Sequence, residues 1–191
     1  GITMEEPMMT VRERKDGQWN VQELVKHSAD ESAGEFHGSV ALKNGDLKVE
    51  TQTGDIYTFE KVECDLTRGE DEKIKGTLAG EFLKVPFDGD LSYTDENNFE
   101  GNIQTEPASL QFLKPLIEKM PGAVHSFDIR NGMGEVTGAR IWRSDGVLSY
   151  HVKGRLDQTA VSYENYALTD VAAFFDICDG VLQIENFSGK V

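Results

Sequence analysis

Short runs of alternating apolar and polar residues, separated by turn dipeptides, make up most of this chain. Alternation with a period of two is typical of a strand with one buried face. Asn-Gly and Asp-Gly supply the positive φ angles that a tight hairpin needs. Four such dipeptides lie between runs of strand character: Asn44-Gly45, Asn131-Gly132, Asp145-Gly146 and Asp179-Gly180. The pattern predicts a mainly β protein, an elongated antiparallel meander with hairpin turns at these positions.

One long apolar run changes phase in its middle. Tyr57 and Phe59 share one phase, whereas Val62, Cys64 and Leu66 share the other. A phase change inside a strand predicts a bulge or a bend that re-aims the side chains.

The clearest alternation places apolar residues on odd positions, at Leu83, Val85, Phe87, Leu91 and Tyr93. Pro86 lies within this run and has no backbone N–H to donate to a ladder. The sequence therefore predicts that one side of this strand is an edge or a bulge near Pro86.

Two segments depart from the β pattern. Residues 21–27 have the pattern of a short helix. Within 107–122, apolar residues recur at helical spacing, and Pro115 would kink or divide a helix there. We expect one or two short helices and two β modules. The first module covers 1–106 and contains the helix near 21–27, a short or broken helix over 107–122 connects the modules, and the second module covers 123–191.

The charge balance excludes some classes of partner. Thirty-four acidic residues against 19 basic ones give a net charge of −15. This balance opposes binding to nucleic acid or to an anionic membrane surface, since both need clustered Lys and Arg. The first residues carry neither the basic nor the apolar region of a signal peptide, and the chain begins as though cut from a longer protein. We therefore expect an excised segment.

No catalytic or metal-binding motif accompanies the β pattern. The histidines at 27, 37, 125 and 151 are scattered, and neither a Gly-x-Ser-x-Gly elbow nor a calcium loop is present. The sequence predicts no enzyme, no metal site and no cofactor. Cys64 and Cys178 lack the spacing of a zinc or redox site; Cys64 is in phase with its apolar neighbours, and a disulfide between the two stays open.

The apolar strand faces are the remaining candidate for function. Such a face must be buried against a second sheet, or else curl into a trough that holds an apolar ligand. An acyl chain in a trough would gain about 0.8 kcal/mol per buried methylene group. Ordinary core packing is the alternative for every one of these residues.

Two stretches carry a family resemblance. Val11-Arg-Glu-Arg-Lys-Asp-Gly-Gln-Trp19-Asn20-Val21 resembles the strand, Asp-Gly turn and Trp-Asn pair of AsmA-like envelope proteins. Tyr166-Ala-Leu-Thr-Asp-Val-Ala-Ala, followed by Asp179-Gly-Val-Leu-Gln-Ile-Glu-Asn-Phe-Ser-Gly189, is similar to the recurring units of TamB, in the same broad group. The helix predicted within 107–122 also fits the short helix that precedes a β unit in that family.

The resemblance to this TamB/AsmA-like family of repeating β-grooves implies a sheet curled into a taco-like groove with an apolar interior. It implies a segment of a large periplasmic protein anchored in the inner membrane of the bacterial cell envelope. Such proteins are implicated in moving phospholipid to the outer membrane, and in outer-membrane assembly with an Omp85-type partner. We therefore expect the given sequence to be an internal segment of such a protein, apart from its N-terminal anchor and its partner-binding end.

The predicted partners are thus phospholipid acyl chains, without nucleic acid. The residues expected to line the groove are Val49, Val62, Leu66, Leu78, Val85, Phe87, Leu91, Tyr93, Val136, Trp142, Leu148, Tyr150, Val152, Val171 and Phe175. A shift of one residue would invert any of these strands.

Two other hypotheses stay open. The first is a scaffold or adhesin-like protein-interaction module with a packed β-sandwich core, which would bind protein by strand addition at the edge near Pro86. The second is a carbohydrate-acting enzyme on a β scaffold, which would need two close, buried carboxylates in a pocket.

Overall fold

The protein is mainly β, as predicted. The computed structural model describes residues 1–15, 20, 38–69, 73–95, 98–112, 127–144, 147–163 and 165–191. Its strands are β1 (Ile2–Glu5), β2 (Met8–Arg12), β3 (Ser39–Glu50), β4 (Ile56–Arg68), β5 (Ile74–Phe82), β6 (Val85–Asp95), β7 (Asn98–Thr105), β8 (Ala108–Ser109), β9 (Phe127–Ser144), β10 (Val147–Tyr163), β11 (Tyr166–Cys178) and β12 (Val181–Lys190). They form one sheet in the hydrogen-bonded order β1-β3-β4-β5-β6-β7-β9-β10-β11-β12, with β2 on β3 and β8 on β9.

The chain divides into two compact units. Unit 1 comprises residues 1–82 and 90–94, and unit 2 comprises residues 83–89 and 95–191. Strand β6 contributes residues to both units. The sequence-based division at 106/107 stays a prediction about modules.

In unit 1, β3, β4 and β5 form the predicted antiparallel meander, but β1 and β2 pair with β3 in parallel. The parallel pairing was not predicted, because strand alternation does not encode strand direction. Glu6, with φ of 50°, and Pro7 separate the two short strands. They lie opposite the bulge at Gly45, whose backbone approaches Pro7 closely.

In unit 2, β9 and β10 are the longest strands, with 18 and 17 residues, and β10 pairs with both β9 and β11. Strand β12 follows β11 through a two-residue turn at Asp179-Gly180, where both φ angles are positive. This is the hairpin that the dipeptide predicts.

The two Asn-Gly dipeptides do not form the hairpins predicted for them. Asn44-Gly45 lies inside β3 and Asn131-Gly132 lies inside β9, so neither forms a hairpin. Asn44 has φ of 52° and Gly132 has φ of 123°, and the pairing register shifts beside both. A left-handed residue permits a bulge as readily as a turn, and these two dipeptides form bulges. Asp145-Gly146 lies outside the described residues.

The bulge predicted in the fourth strand is confirmed. Lys61 has φ of 52°, and the register shifts between Glu60 and Glu63. Because the extra residue reverses the phase, Tyr57 and Phe59 share a face with Val62, Cys64 and Leu66.

The strand predicted around Pro86 needs two corrections. Leu83 and Lys84 have φ of 51° and 64° and form the turn between β5 and β6, so Leu83 is not a strand residue. Strand β6 lies between β5 and β7 and is not an edge. Pro86 is tolerated because it lies opposite Glu106, one residue beyond the end of β7; the Glu106 N–H donates to the Pro86 carbonyl oxygen at 3.1 Å.

Most of the predicted helical segments lie outside the described residues. The stretch 21–27 is not described. Within 107–122, residues 108–109 form β8 and pair with β9, which is a correction, and only residues 110–112 are described as helical. Residues 113–122 are not described.

Candidate functional site

Each unit has one apolar sheet face, which the registers define because directly paired residues point to the same side. In unit 1 the paired apolar residues are Val40, Leu42, Leu47, Val49, Tyr57, Phe59, Val62, Cys64, Leu66, Leu78 and Phe82. We call this set the unit 1 apolar face. The rings of Phe59 and Phe82 stack with their centroids 4.8 Å apart.

The corresponding surface of unit 2 is the unit 2 apolar face. Its residues, placed by the registers of β7 and β9–β12, are Phe99, Ile103, Val136, Ala139, Ile141, Leu148, Tyr150, Val152, Leu156, Val171, Ala173, Phe175, Ile177, Leu182, Ile184 and Phe187. Phe187 joins this face because Asn186, with φ of 51°, is bulged, and Ser188 on the other face pairs with Ala172.

One end of the unit 2 apolar face is a filled core. Val171 is 1% exposed and its cross-strand partner Thr159 is fully buried. Leu110 lies over Gly134 and beside Leu156, in space that a side chain on Gly134 would occupy. This end packs as an ordinary protein interior does.

The other end of the same face is open. Leu148 is 58% exposed, Leu182 is 53% and Ile184 is 59%. Ile141 and Tyr150 are also exposed. Phe187 is exposed too, but it lies opposite Ala173, beside the filled end. We call these six residues, on β9, β10 and β12, the open patch.

The opposite sides of both units carry charge. In unit 2, Arg140 donates to both oxygens of Glu100, at 2.9 and 3.1 Å, and its guanidinium lies 4.8 Å from the ring centroid of Trp142. Arg155 pairs with Glu135 at 2.5 Å. In unit 1, Lys61 pairs with Glu81 at 2.6 Å. Each sheet region is therefore amphipathic, with one apolar and one charged side.

The structure places the predicted groove residues as follows. Val49, Val62, Leu66 and Leu78 lie on the unit 1 apolar face, and Val136, Leu148, Tyr150, Val152, Val171 and Phe175 lie on the unit 2 apolar face. In β6, Val85 and Phe87 belong to unit 2, whereas Leu91 and Tyr93 belong to unit 1. The two residues of each pair are two positions apart, so they point to the same side of the strand. Val62, Val85 and Val171 are buried, so they act as core.

Trp142 lies on the other side. It pairs with Ser149 and Glu100, on the face that carries Arg140, so it does not belong to the unit 2 apolar face. The bulge between Val136 and Gly138 reverses the phase of β9, and that reversal is not visible in the alternation alone.

The residues that sequence reasoning missed are Ile141, Leu182, Ile184 and Phe187 of the open patch. Leu182 and Ile184 have the two-residue spacing of one face, which is a usable signal. Phe187 is three residues further on, and only the bulge at Asn186 returns it to that face.

Side chains with catalytic potential are few in the described parts of the chain. His151 Nε2 lies 2.7 Å from Asp176 Oδ1, and Lys153 Nζ lies 3.7 Å from Asp176 Oδ2. This cluster joins β10 to β11 on the charged side. The described residues contain no group of three or more His, Cys, Asp or Glu side chains that could hold a metal ion.

Two surface depressions are lined mainly by polar and charged side chains. One, of about 310 Å³, lies between Arg12, Glu50 and Gln52 in unit 1. The other, of about 230 Å³, lies between Lys153, Asp176 and Glu185 in unit 2, with Phe174 and Phe175 at its wall. Neither has two buried carboxylates at its wall.

The two cysteines are free thiols. Cys178 is exposed. Cys64 is half-buried on the unit 1 apolar face, where burial and then the Asp65 carboxylate raise the pKa of its thiol. Its position agrees with the sequence-based prediction of a small hydrophobic residue, and no disulfide joins it to Cys178.

Glu50 gives unit 1 a testable pH response. Hydrogen bonds from Arg12, at 2.5 Å, and from Lys48, at 2.8 Å, lower the pKa of Glu50 from 4.5 to about 2. A depressed pKa in the folded state stabilises the fold above the unfolded value and loses that effect as the pH falls through the folded value. We expect the amide protection factors of β2 to fall between pH 4.5 and pH 2 in NMR hydrogen exchange.

The Glu50→Gln variant is the matched control for this pH response. It should show the lower β2 protection at every pH and lose the pH dependence. Equal pH profiles for the two proteins would contradict the assignment to Glu50.

No described helix is long and apolar enough to cross a membrane. Comparison of the chain with known protein families, with curated proteins and with solved structures finds no match.

Proposed function

We propose that this chain is a non-catalytic segment of a TamB/AsmA-like envelope protein and that its apolar faces receive phospholipid acyl chains. In this proposal the full-length protein is anchored in the inner membrane and extends through the periplasm. It transfers phospholipid between the inner and outer membranes, or serves outer-membrane assembly with an Omp85-type partner. The resemblance of the sequence motifs supports the family, and the open patch supports the ligand.

The open patch is the observation that carries the proposal. Six large apolar side chains lie exposed on the apolar face of unit 2. Val147, Phe174 and Val181 are exposed on the charged side as well, but Phe174 pairs there with Arg155 and Glu185. Contiguous apolar patches on soluble proteins usually mark a binding surface. A ligand that covers this patch must itself be apolar along its length.

An acyl chain meets that requirement better than a polar ligand does. Strands β9, β10 and β11 each pair with a strand on both sides, so their backbone N–H and C=O groups bond within the sheet. The surface offers mainly methyl, methylene and aromatic groups, and a chain on it gains about 0.8 kcal/mol for each methylene group it buries. The filled end near Val171 and Leu110 would end the path of such a chain within unit 2.

The filled end also favours the second candidate, a packed β-sandwich scaffold. If a further layer covers the open patch as Leu110 covers Gly134, the whole face is core and the protein binds by other surfaces. The two functions differ in what happens when charge is placed in the open patch: a ligand surface tolerates it and a core does not.

The test is native mass spectrometry of the protein after incubation with phosphatidylethanolamine and phosphatidylglycerol vesicles, with solvent extraction of bound lipid. We expect the wild-type protein to carry phospholipid at a defined stoichiometry. Leu182→Glu with Ile184→Glu should reduce bound lipid by about tenfold or more, since two apolar contacts are lost and two charges must be desolvated. The matched control, Val181→Glu with Gln183→Glu, adds the same charges to the other side of β12 and should retain lipid.

Three outcomes would contradict the proposal. A protein mass free of lipid after incubation favours the packed sandwich. Equal loss of lipid in both double variants assigns the effect to charge alone. Unfolding of the Leu182→Glu, Ile184→Glu variant in far-UV circular dichroism, with the control folded, means that the patch is core.

A further inference from the structure

One charged residue lies on the otherwise apolar side of unit 2. Arg143, in β9, pairs with Phe99 in β7 and with Leu148 in β10, and directly paired residues point to the same side of a sheet. Among the residues that the registers of β7 and β9–β12 place on this side, Arg143 is the one with a charge. A cation therefore shares a surface with the open patch.

The position of Arg143 makes it available to a ligand on that patch. Its neighbour Leu148 is 58% exposed, and Arg143 itself is half-buried. Strands β9 and β10 each pair with a strand on both sides, so this surface does not depend on a sheet edge. Arg143 interacts within the protein, and a guanidinium has five N–H donors, which is more than one partner takes up. The side chain can therefore bind a ligand anion as well.

The polar groups of this face gather at one end. Arg143 is the last residue of β9 on this side, and Tyr150 lies one pair further in. The Tyr150 hydroxyl oxygen lies at the β11–β12 turn, 3.7 Å from the place of a Cβ atom on Gly180. At the other end, Leu156 lies beside Leu110 in the filled core. An amphiphile on this face would have its polar group at the Arg143 end and its apolar part toward the core.

The distance between the two ends suits one acyl chain. Gly154 follows Leu148 by six residues in β10, which is about 20 Å at about 3.3 Å per residue. There the ring of Phe175 occupies the space that a side chain on Gly154 would take, and it closes the path. The hydrocarbon core of a bilayer is about 30 Å thick, so the acyl chains of one leaflet span about 15 Å. An acyl chain whose head group lies at Arg143 would therefore end before the Phe175 ring.

We propose that Arg143 binds the phosphate group of a phospholipid whose acyl chain lies along β10 on the open patch. This assignment rests on the proposed lipid-binding function and adds the residue that recognises the head group. The planar guanidinium fork matches the oxygens of a phosphate, and charge-assisted hydrogen bonds of this kind are stronger than neutral ones.

The surrounding charge limits the kind of anion. The protein carries a net charge of −15, and the Asp179 carboxylate lies at the same end of the face, where its Oδ1 accepts the Tyr150 N–H at 2.9 Å. Both repel anions, so the attraction that Arg143 exerts is local. A phosphodiester carries one negative charge, which one guanidinium balances.

The test compares two lipids with identical acyl chains, phosphatidylglycerol and diacylglycerol, presented together in mixed vesicles. Bound lipid is extracted from the re-isolated protein and quantified by mass spectrometry. We expect Arg143→Gln to lower the ratio of bound phosphatidylglycerol to bound diacylglycerol about tenfold relative to wild type. Diacylglycerol alone should bind both proteins equally, because it lacks the group that Arg143 contacts.

Two further variants serve as controls. Arg143→Lys keeps the charge without the planar fork and should retain a ratio within about threefold of wild type. Arg140→Gln removes a cation of the same strand on the charged side, where Arg140 donates to Glu100. This variant should leave the ratio within about twofold of wild type, since the charge lost is on the other side of the sheet.

Four results would overturn the assignment. Equal ratios for wild type and Arg143→Gln, with lipid bound to both, would remove Arg143 and leave the lipid-binding surface in place. Equal decreases in Arg143→Gln and Arg140→Gln would show that overall charge alone sets the ratio. Wild-type protein that holds neither lipid would overturn the proposed function as well. In a competition with palmitate, preferential retention of palmitate over phosphatidylglycerol would assign Arg143 to a carboxylate ligand instead.

Discussion

Gly132→Val is expected to lower the free energy of unfolding by about 3 kcal/mol or more, from the sum of backbone strain and a steric clash. Gly132 has φ of 123°, a conformation that a β-branched residue rarely adopts. A Cβ atom there would lie 2.6 Å from Thr159 Cα, which is backbone and cannot rotate away. Thr159 is fully buried beside Val171, so the clash falls in the filled core of unit 2.

The matched control for Gly132→Val is Gly138→Val, the same substitution in the same strand. A Cβ atom at Gly138 meets nothing within 4 Å, and its backbone φ is not positive. Its effect on unfolding should stay within about 0.5 kcal/mol, since a β-branched residue suits an open strand position. Urea denaturation followed by far-UV circular dichroism measures both; equal midpoints would show that the bulge at Gly132 relaxes freely.

Val171→Asp is expected to destabilise the protein by about 3–5 kcal/mol, because it places an unpaired charge in the interior. Val171 is 1% exposed and its neighbours are Thr159, Ala173 and Gly189. None of these residues supplies a positive charge. The carboxyl group must therefore become protonated or the core must open to water.

The control for Val171→Asp is Val181→Asp, at an exposed position on the adjacent strand β12, with an expected effect within about 0.5 kcal/mol. The same urea titrations serve for this pair. The destabilisation by Val171→Asp should also decrease below pH 5, where the carboxyl group is neutral. A pair of variants with matching stability would mean that the end near Val171 is not a core.

The fold class followed from the alternation of apolar and polar residues, but the dipeptides located only one described hairpin, at Asp179-Gly180. The dipeptides at 44–45 and 179–180 have similar local chemistry, yet the first is a bulge and the second is a hairpin. A left-handed conformation is all that the dipeptide specifies, and the pairing partners decide which structure contains it. Leu83-Lys84 forms a turn without any Gly or Asn, so propensity alone could not find it.

The candidate site was predictable where the strands are regular. Leu148, Tyr150 and Val152 alternate without interruption, and all three lie on the unit 2 apolar face. Trp142 was wrongly predicted to line the groove and Phe187 was missed, because a bulge lies between each of them and the nearest clear alternation. The sequence signal for a face is therefore reliable only between bulges.

Three bulges of unit 2 lie in the neighbouring strands β10, β11 and β12, at Gln158, Asp170 and Asn186, all with positive φ. Each bulge adds one residue to its strand, which shifts the alternation of side chains by one position. Whether odd- or even-numbered residues point to a given side of the sheet therefore changes at each bulge. Within a stretch bounded by two bulges, residues can be gained or lost in pairs without exchanging the apolar side for the charged one. A change of a single residue reverses every side chain up to the next bulge, so these strands accept length variation in units of two.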